Sequence, residues 1–159
     1  MKDAPGILLT FAESPQQFAD AEALFKEYAA SLDIDLSFQG FANELATIRQ
    51  QYYKPHGALL LCYIDNTAVA CTAIRKFDED IAELKRMFVQ PAARGHKIAQ
   101  KMLALALDTA KNLGYTAIRL DTLPTMQQAQ CLYVAQGFYE IPAYRYNPVE
   151  GTIFMEKKL

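Results

Sequence analysis

Apolar and polar positions alternate along this chain with two periods, and the switches between them mark out the elements. Ile7 to Phe11 is a short apolar run and predicts a first strand. In Ser14-Pro15-Gln16-Gln17, Ser14 reads as an N-cap, Pro15 takes the first helical position and Gln17 completes a capping box. Phe18, Ala21, Leu24, Phe25 and Tyr28 then recur at helical spacing. A second helix is predicted from about Phe38 to Tyr53, with Phe41, Leu45 and Ile48 on one face and Pro55 as its stop. Ala58 to Ile64 and Ala68 to Ile74 are strand-like, and Asp65-Asn66-Thr67 between them is a turn signal. With Asn66-Thr67 as the turn, Cys62 would face Cys71; with Asp65-Asn66 it would not.

Phe77 to Asp80 is a further turn, and Ile81 to Val89 is the next strand. Alternation slips there: Ile81 and Leu84 are out of phase, and so are Leu84 and Val89. One or more bulges would restore it, and bulges often sit beside active sites; a plain break in the pattern is an equal reading. A helix is expected over Gly95 to Leu113, stopped by Gly114. Thr116 to Leu120 reads as a strand, Met126 to Gln136 as a helix closed by Gly137, and Phe138 to Ile141 and Thr152 to Lys158 as two last strands. Hairpins mixed with strand–helix units predict an α/β (α+β) fold, a mixed sheet of about seven strands flanked by about four helices.

The 159 residues make about one domain's worth, with a core over about 7–159, and at 52% apolar they can build a real interior. A net charge of −2 argues against nucleic acid as a partner. Lys85, Arg86, Arg94, Lys97 and Lys101 cluster in sequence, which suits a small anion or a solvated face. No run is long enough to span a bilayer, and Met1 to Gly6 leads into only a short apolar stretch; no membrane, no signal peptide and a cytoplasmic location are expected. Cys62, Cys71 and Cys131 lack the spacing of a zinc site or disulfide framework, and His56 and His96 are too few and too distant for a metal. No Gly-x-Ser-x-Gly elbow and no Gly-x-Gly-x-x-Gly pattern is present.

The most telling stretch is Met87-Phe88-Val89-Gln90-Pro91-Ala92-Ala93-Arg94-Gly95-His96-Lys97-Ile98-Ala99. It predicts a strand that ends in a short turn at the mouth of a long helix. The first amides of a helix have no partner inside it, and with the helix dipole they form an anion site suited to phosphate. Such junctions are common, and by geometry alone an ordinary junction accounts for this one.

Together with Ala129-x-x-Leu132-Tyr133-x-x-x-Gly137-Phe138, these residues resemble the GCN5-related N-acetyltransferases, over nearly the whole chain. The resemblance implies an acetyl-CoA-dependent N-acetyltransferase acting on a primary amine of a small molecule or peptide, by direct attack in a ternary complex and without a metal. It implies that the amides of Arg94, Gly95, His96, Lys97, Ile98 and Ala99 bind the cofactor's pyrophosphate. Met87, Phe88 and Val89 would run beside the pantetheine arm, and the amide of Val89 or Phe88 would face the thioester oxygen. Ala129 belongs to the same motif, and Met126 stands where many members carry an asparagine. Two positions depart from the family: Met126 cannot donate a hydrogen bond, and Lys97 replaces a glycine. If Lys97 needs a positive φ, the strain is roughly 1 kcal/mol or more.

By the same resemblance Tyr133 would donate a proton to the departing thiolate; by its apolar neighbours it would be a core tyrosine. Glu83, eleven residues before Arg94, takes by the same resemblance the position of a general base, or is only a surface ion pair with the flanking Lys85 and Arg86. Tyr144, Tyr146 and Glu150 are expected to frame a cationic or partly apolar acceptor, or merely to pack their loop. The departures at Lys97 and Met126 keep open a non-catalytic acyl-CoA-binding or interaction module. A homodimer is the base-rate expectation for a soluble protein.

Overall fold

The computed structural model describes residues 6–32 and 34–159; Met1 to Pro5, within the stretch on which the signal-peptide expectation rests, lie outside them. Seven strands, β1 (Ile7–Phe11), β2 (Ala58–Ile64), β3 (Thr67–Lys76), β4 (Ile81–Val89), β5 (Ala117–Thr122), β6 (Tyr139–Ile141) and β7 (Ile153–Lys158), form one sheet in the order β1-β2-β3-β4-β5-β7-β6. All pairings are antiparallel except β4 with β5. Five α-helices cover it: α1 (Pro15–Ser31), α2 (Phe41–Ala46), α3 (Ile48–Gln51), α4 (Ile98–Asn112) and α5 (Gln127–Ala135).

The central strands are buried on both faces. Leu59, Leu61, Cys71, Ala73 and Phe88 pack with Phe18, Ala21, Leu24, Phe25, Ile48 and Tyr52 of α1 and the α3 region. Leu60, Cys62, Ala70, Leu84 and Ile118 face the other way, onto Ile98, Met102, Leu103 and Ala106 of α4. The predicted capping box is present: Ser14 Oγ accepts from the Gln17 amide at 3.2 Å and Gln17 Oε1 from the Ser14 amide at 3.0 Å. The β2–β3 turn uses Asp65 and Asn66, both at positive φ, and with a register shift between Cys62 and Tyr63 it is Leu61 rather than Cys62 that lies opposite Cys71.

The helix predicted over 38–53 is broken. A 3-10 turn, Leu36–Gln39, ends at Gly40 with φ 68°, a left-handed conformation that glycine adopts without strain. Thr47 then divides α2 from α3, its hydroxyl donating to the Asn43 carbonyl at 2.7 Å. A 3.6-residue pattern is blind to both interruptions.

In β4 a bulge accounts for the second slip in alternation, between Leu84 and Val89, while the first, between Ile81 and Leu84, lies in regular register. Register runs Ala73 opposite Lys85 and then Cys71 opposite Phe88, and Arg86 between them has φ 59°. Two consecutive side chains, Lys85 and Arg86, therefore project to one face, and both donate to Gln39 Oε1 (3.1 and 2.9 Å). Arg86 is buried and grips the buried Glu44 of α2 with two prongs, one from Nε at 3.0 Å. Tyr52 donates to the same carboxylate at 2.8 Å, and the Tyr28 and Phe41 rings flank the guanidinium.

Glu44→Ala, which strands the Arg86 charge in the interior, should cost about 3–5 kcal/mol in urea unfolding. Glu44→Leu combined with Arg86→Met should recover most of that loss, because a buried pair removed whole leaves no charge behind.

Candidate active site

β4 and β5 are hydrogen-bonded only over Ile81–Glu83 with Ala117–Arg119. Beyond that point the strands separate, and the later part of β4 lacks a ladder partner on its β5 side. The Gln90 amide donates to Val69 of β3 at 2.8 Å. Successive amides of a strand point to opposite edges, so the Val89 amide, and not that of Phe88, faces the opening. A narrow cavity lies there, lined by Leu84, Lys85, Met87, Asp121, Met126, Ala129 and Tyr133, among others.

At the far end of β4, Pro91–Ala93 makes a 3-10 turn that leads through Arg94 to α4. The helix begins at Ile98, three residues later than the sequence predicts. Lys97 is its N-cap, with φ 58° and ψ 27°; the glycine-like conformation is kept although the residue is lysine. None of the amides of Gly95, His96, Lys97, Ile98, Ala99 and Gln100 donates to a protein acceptor among the described residues. Arg94, Gly95, His96 and Lys97 are exposed, and Arg94 Nε donates to the Val89 carbonyl at 3.3 Å. Orphan donors at a helix mouth, next to an unpaired strand edge, fit a phosphorylated ligand with an extended arm. The five cations of the sequence cluster do not act together: Lys85 and Arg86 are buried, while Arg94 and Lys97 are exposed at the helix mouth.

Tyr133 is buried, packs edge-on against Phe138 at 5.6 Å between ring centroids, and lines the cavity. Its hydroxyl has no protein partner among the described residues, and burial raises its pKa, so it stays protonated. Met126 caps α5, and its sulfur accepts from Thr122 Oγ1 at 3.8 Å. Tyr133 is thus a core residue that also forms part of the cavity wall.

Glu83 sits among cations. A general base needs a pKa raised towards neutrality, and burial acts in that direction, but Lys85, Arg75, Arg145 and the Tyr144 hydroxyl outweigh it and hold the carboxyl below its ordinary value. Arg75 Nε lies 2.9 Å from Oε1; Arg145 and the Tyr144 hydroxyl (2.9 Å) share Oε2. The ion pair expected at the surface is buried, and the arginines that bond the carboxylate, Arg75 and Arg145, are distant in sequence. The loop from β6 to β7 stands partly apart from this cavity. Tyr144 is spent on Glu83, Tyr146 is 78% exposed, Glu150 is exposed, and none of the three lines the cavity; Asn147 does.

The sequence reading did not single out Gln39 or Asn147 for the cavity, and it gave Lys85 no role there. The Lys85 ammonium is buried, donates to Gln39, and has its pKa lowered by burial to about 8, against the pull of Glu83 and Asp121. The slip in alternation was the one available signal for it. Among the described residues no group of three or more His, Cys, Asp or Glu could hold a metal, and no helix is long and apolar enough to cross a membrane.

A family model described as "Acetyltransferase (GNAT) family" matches residues 21–138. The chain is similar to an uncharacterised N-acetyltransferase of Schizosaccharomyces pombe, 31% identical over 161 residues that cover 100% of this chain and 99% of that protein. Its fold is that of an acetyltransferase from Streptococcus agalactiae (TM-score 0.79, 23% identity, 97% of this chain and 99% of that one). An N-acetyltransferase from Thermoplasma acidophilum, solved in complex with coenzyme A, has the same fold (TM-score 0.71, 17% identity, 97% and 99% covered).

Two outcomes follow from this geometry. Lys97→Gly should stabilise the protein by up to about 1 kcal/mol in urea unfolding, by relieving the left-handed lysine. Lys85 binds its proton more weakly folded than unfolded, so below about pH 8 its charge destabilises the fold, and the penalty fades as pH rises towards 10. Lys85→Met should therefore raise the melting temperature at pH 7, with a gain that shrinks by pH 10.

Proposed function

We propose that this chain, which belongs to the acetyltransferase (GNAT) family and is an N-acetyltransferase, moves the acetyl group of acetyl-CoA to a primary amine by direct attack in a ternary complex. Residues 7–159 act as one domain in this reading. The observation that carries it is the coincidence of three things at one opening in the sheet: an unpaired β4 edge, a row of orphan amides at the start of α4, and a free, protonated Tyr133 hydroxyl.

The amides from Gly95 to Gln100 would hold the pyrophosphate, with Arg94 and Lys97 adding positive charge. The free edge at Met87 to Val89 would orient the pantetheine arm, with Met126 and Ala129 giving apolar contact from α5. Acetyl-CoA, when bound, supplies an activated acyl carbon and a good leaving group. The Val89 amide is aimed to stabilise the thioester oxygen as it gains charge, and the Tyr133 hydroxyl to give a proton to the departing sulfur. Glu83, locked between two arginines, is left out of proton removal from the amine, and water entering beside Lys85 and Asp121 takes that part. Lys97 keeps the backbone conformation that glycine would give, which favours the catalytic reading over a non-catalytic binding module.

Tyr133→Phe should lower kcat about tenfold or more while leaving the calorimetric affinity for acetyl-CoA within about twofold; an unchanged kcat removes the proton-donor role. Arg94→Glu should weaken acetyl-CoA binding at least tenfold by reversing charge beside the phosphates, and equal affinity would move the phosphate site elsewhere.

A further inference from the structure

On the same face of the sheet, one step back along β4 from the Lys85 cavity, lies a second cavity of about 450 Å³. Lys54, His56, Arg75, Lys76, Glu83 and Arg145 stand on its wall. Glu83 is its one carboxylate, against four permanent cations. Lys76 is answered by Glu79 at 3.0 Å. Arg75 and Arg145 must share Glu83, whose carboxyl is fully buried and has both oxygens occupied. Lys54 has no acidic partner among the described residues.

The two guanidiniums also have unused donors. Arg75 spends Nε on Glu83 and Nη1 on Gln51 at 3.0 Å, leaving Nη2. Arg145 spends only Nη2, and its Nε is buried with no acceptor. Both side chains are about a quarter exposed, at 25% and 23%. Arg145 is held against the Phe77 and Tyr144 rings, 5.9 and 5.2 Å from their centroids, so little freedom is lost when an anion arrives. Two forks that share one carboxylate, one of them stacked on aromatic rings, have the chemistry to take a second.

We infer that this cavity receives a carboxylate of the acceptor, so that the enzyme acetylates amines that carry an acidic group, such as amino acids or peptides. The inference rests on the acetyl-transfer reading and adds the substrate class. Glu83 and Lys85 are two residues apart on one strand face, about 7 Å. The two cavities share no wall residue, so an acceptor with its carboxylate at Arg75 and Arg145 must extend its amine past Lys85 to reach Asp121 and the opening between β4 and β5. The charge runs the right way for a zwitterion: cations surround one end and Asp121 stands at the other.

The test has three arms. In the first, the Arg75 and Arg145 Nε signals are followed by NMR while succinate, and separately inorganic phosphate, is added. Succinate should shift both signals and phosphate should shift them less; no shift with either overturns the site, and a larger response to phosphate overturns its assignment to a carboxylate. In the second, thiol release is measured with matched acceptors, γ-aminobutyrate against butylamine and a dipeptide against its amide. The acids should win in kcat/KM by tenfold or more. Arg145→Gln should cut that preference at least tenfold and Arg145→Lys should restore part of it. Anion binding without such a preference, or without turnover of any acceptor, overturns the link to the substrate. Calorimetric titration with acetyl-CoA is the third arm: wild-type protein that fails to bind it defeats the acetyl-transfer reading itself, and binding by Arg145→Gln shows that the variant is folded.

Discussion

The grip of Arg86 on Glu44 is the interaction on which the rest of this molecule leans. It joins the bulged middle of β4 to α2, a helix of six residues whose Phe41 and Leu45 also pack on the core. The bulge turns Lys85 and Arg86 to the same face, and Gln39 is drawn in between them. The cavity wall is thus an outcome of one buried pair: without Glu44 the arginine has no reason to be inside, and without the arginine the left-handed residue in mid-strand has nothing to offset its strain.

Charge on this face of the sheet is sorted by strand position. Glu83 and Lys85 of β4 stand beside Arg119 and Asp121 of β5, where the sign pattern is reversed. Arg119 leans on Phe77 and Tyr144, and the same two rings flank Arg145. Glu83 consequently has an environment that its near neighbour Lys85 supplies only in part: Arg75 comes from β3, Arg145 and Tyr144 from the loop before β7. A carboxylate so surrounded is a fixed anion at neutral pH, a structural part where a lone glutamate in an apolar cleft would have been a base.

Much of the fold was legible because it is written in local patterns. The capping box at Ser14, the hairpin at Asp65-Asn66, and the strand–turn–helix junction after Met87 each depend on residues within a few positions of one another. The bulge was legible as a disturbance, though not as a place where two cations enter the core. What was not legible depends on distance in sequence. Glu44 meets Arg86 across 42 positions, Tyr144 meets Glu83 across 61, and Asn147 reaches the cavity from a loop whose tyrosines drew attention instead. The break at Thr47 shows a further limit, since a hydroxyl that bonds back to the helix leaves the apolar spacing of Phe41, Leu45 and Ile48 intact.

The short seam between β4 and β5 has a consequence for how the protein holds together. Three residue pairs join a four-stranded block, β1 to β4, to a three-stranded block, β5-β7-β6. The two blocks are otherwise connected through helices and side chains. A molecule lying in the gap would complete the sheet, giving backbone groups on the free edge the partners a neighbouring strand would have given them. Such a molecule would be a structural member as well as a reactant: the two halves of the sheet would become mechanically continuous on its arrival and separable again on the release of its products.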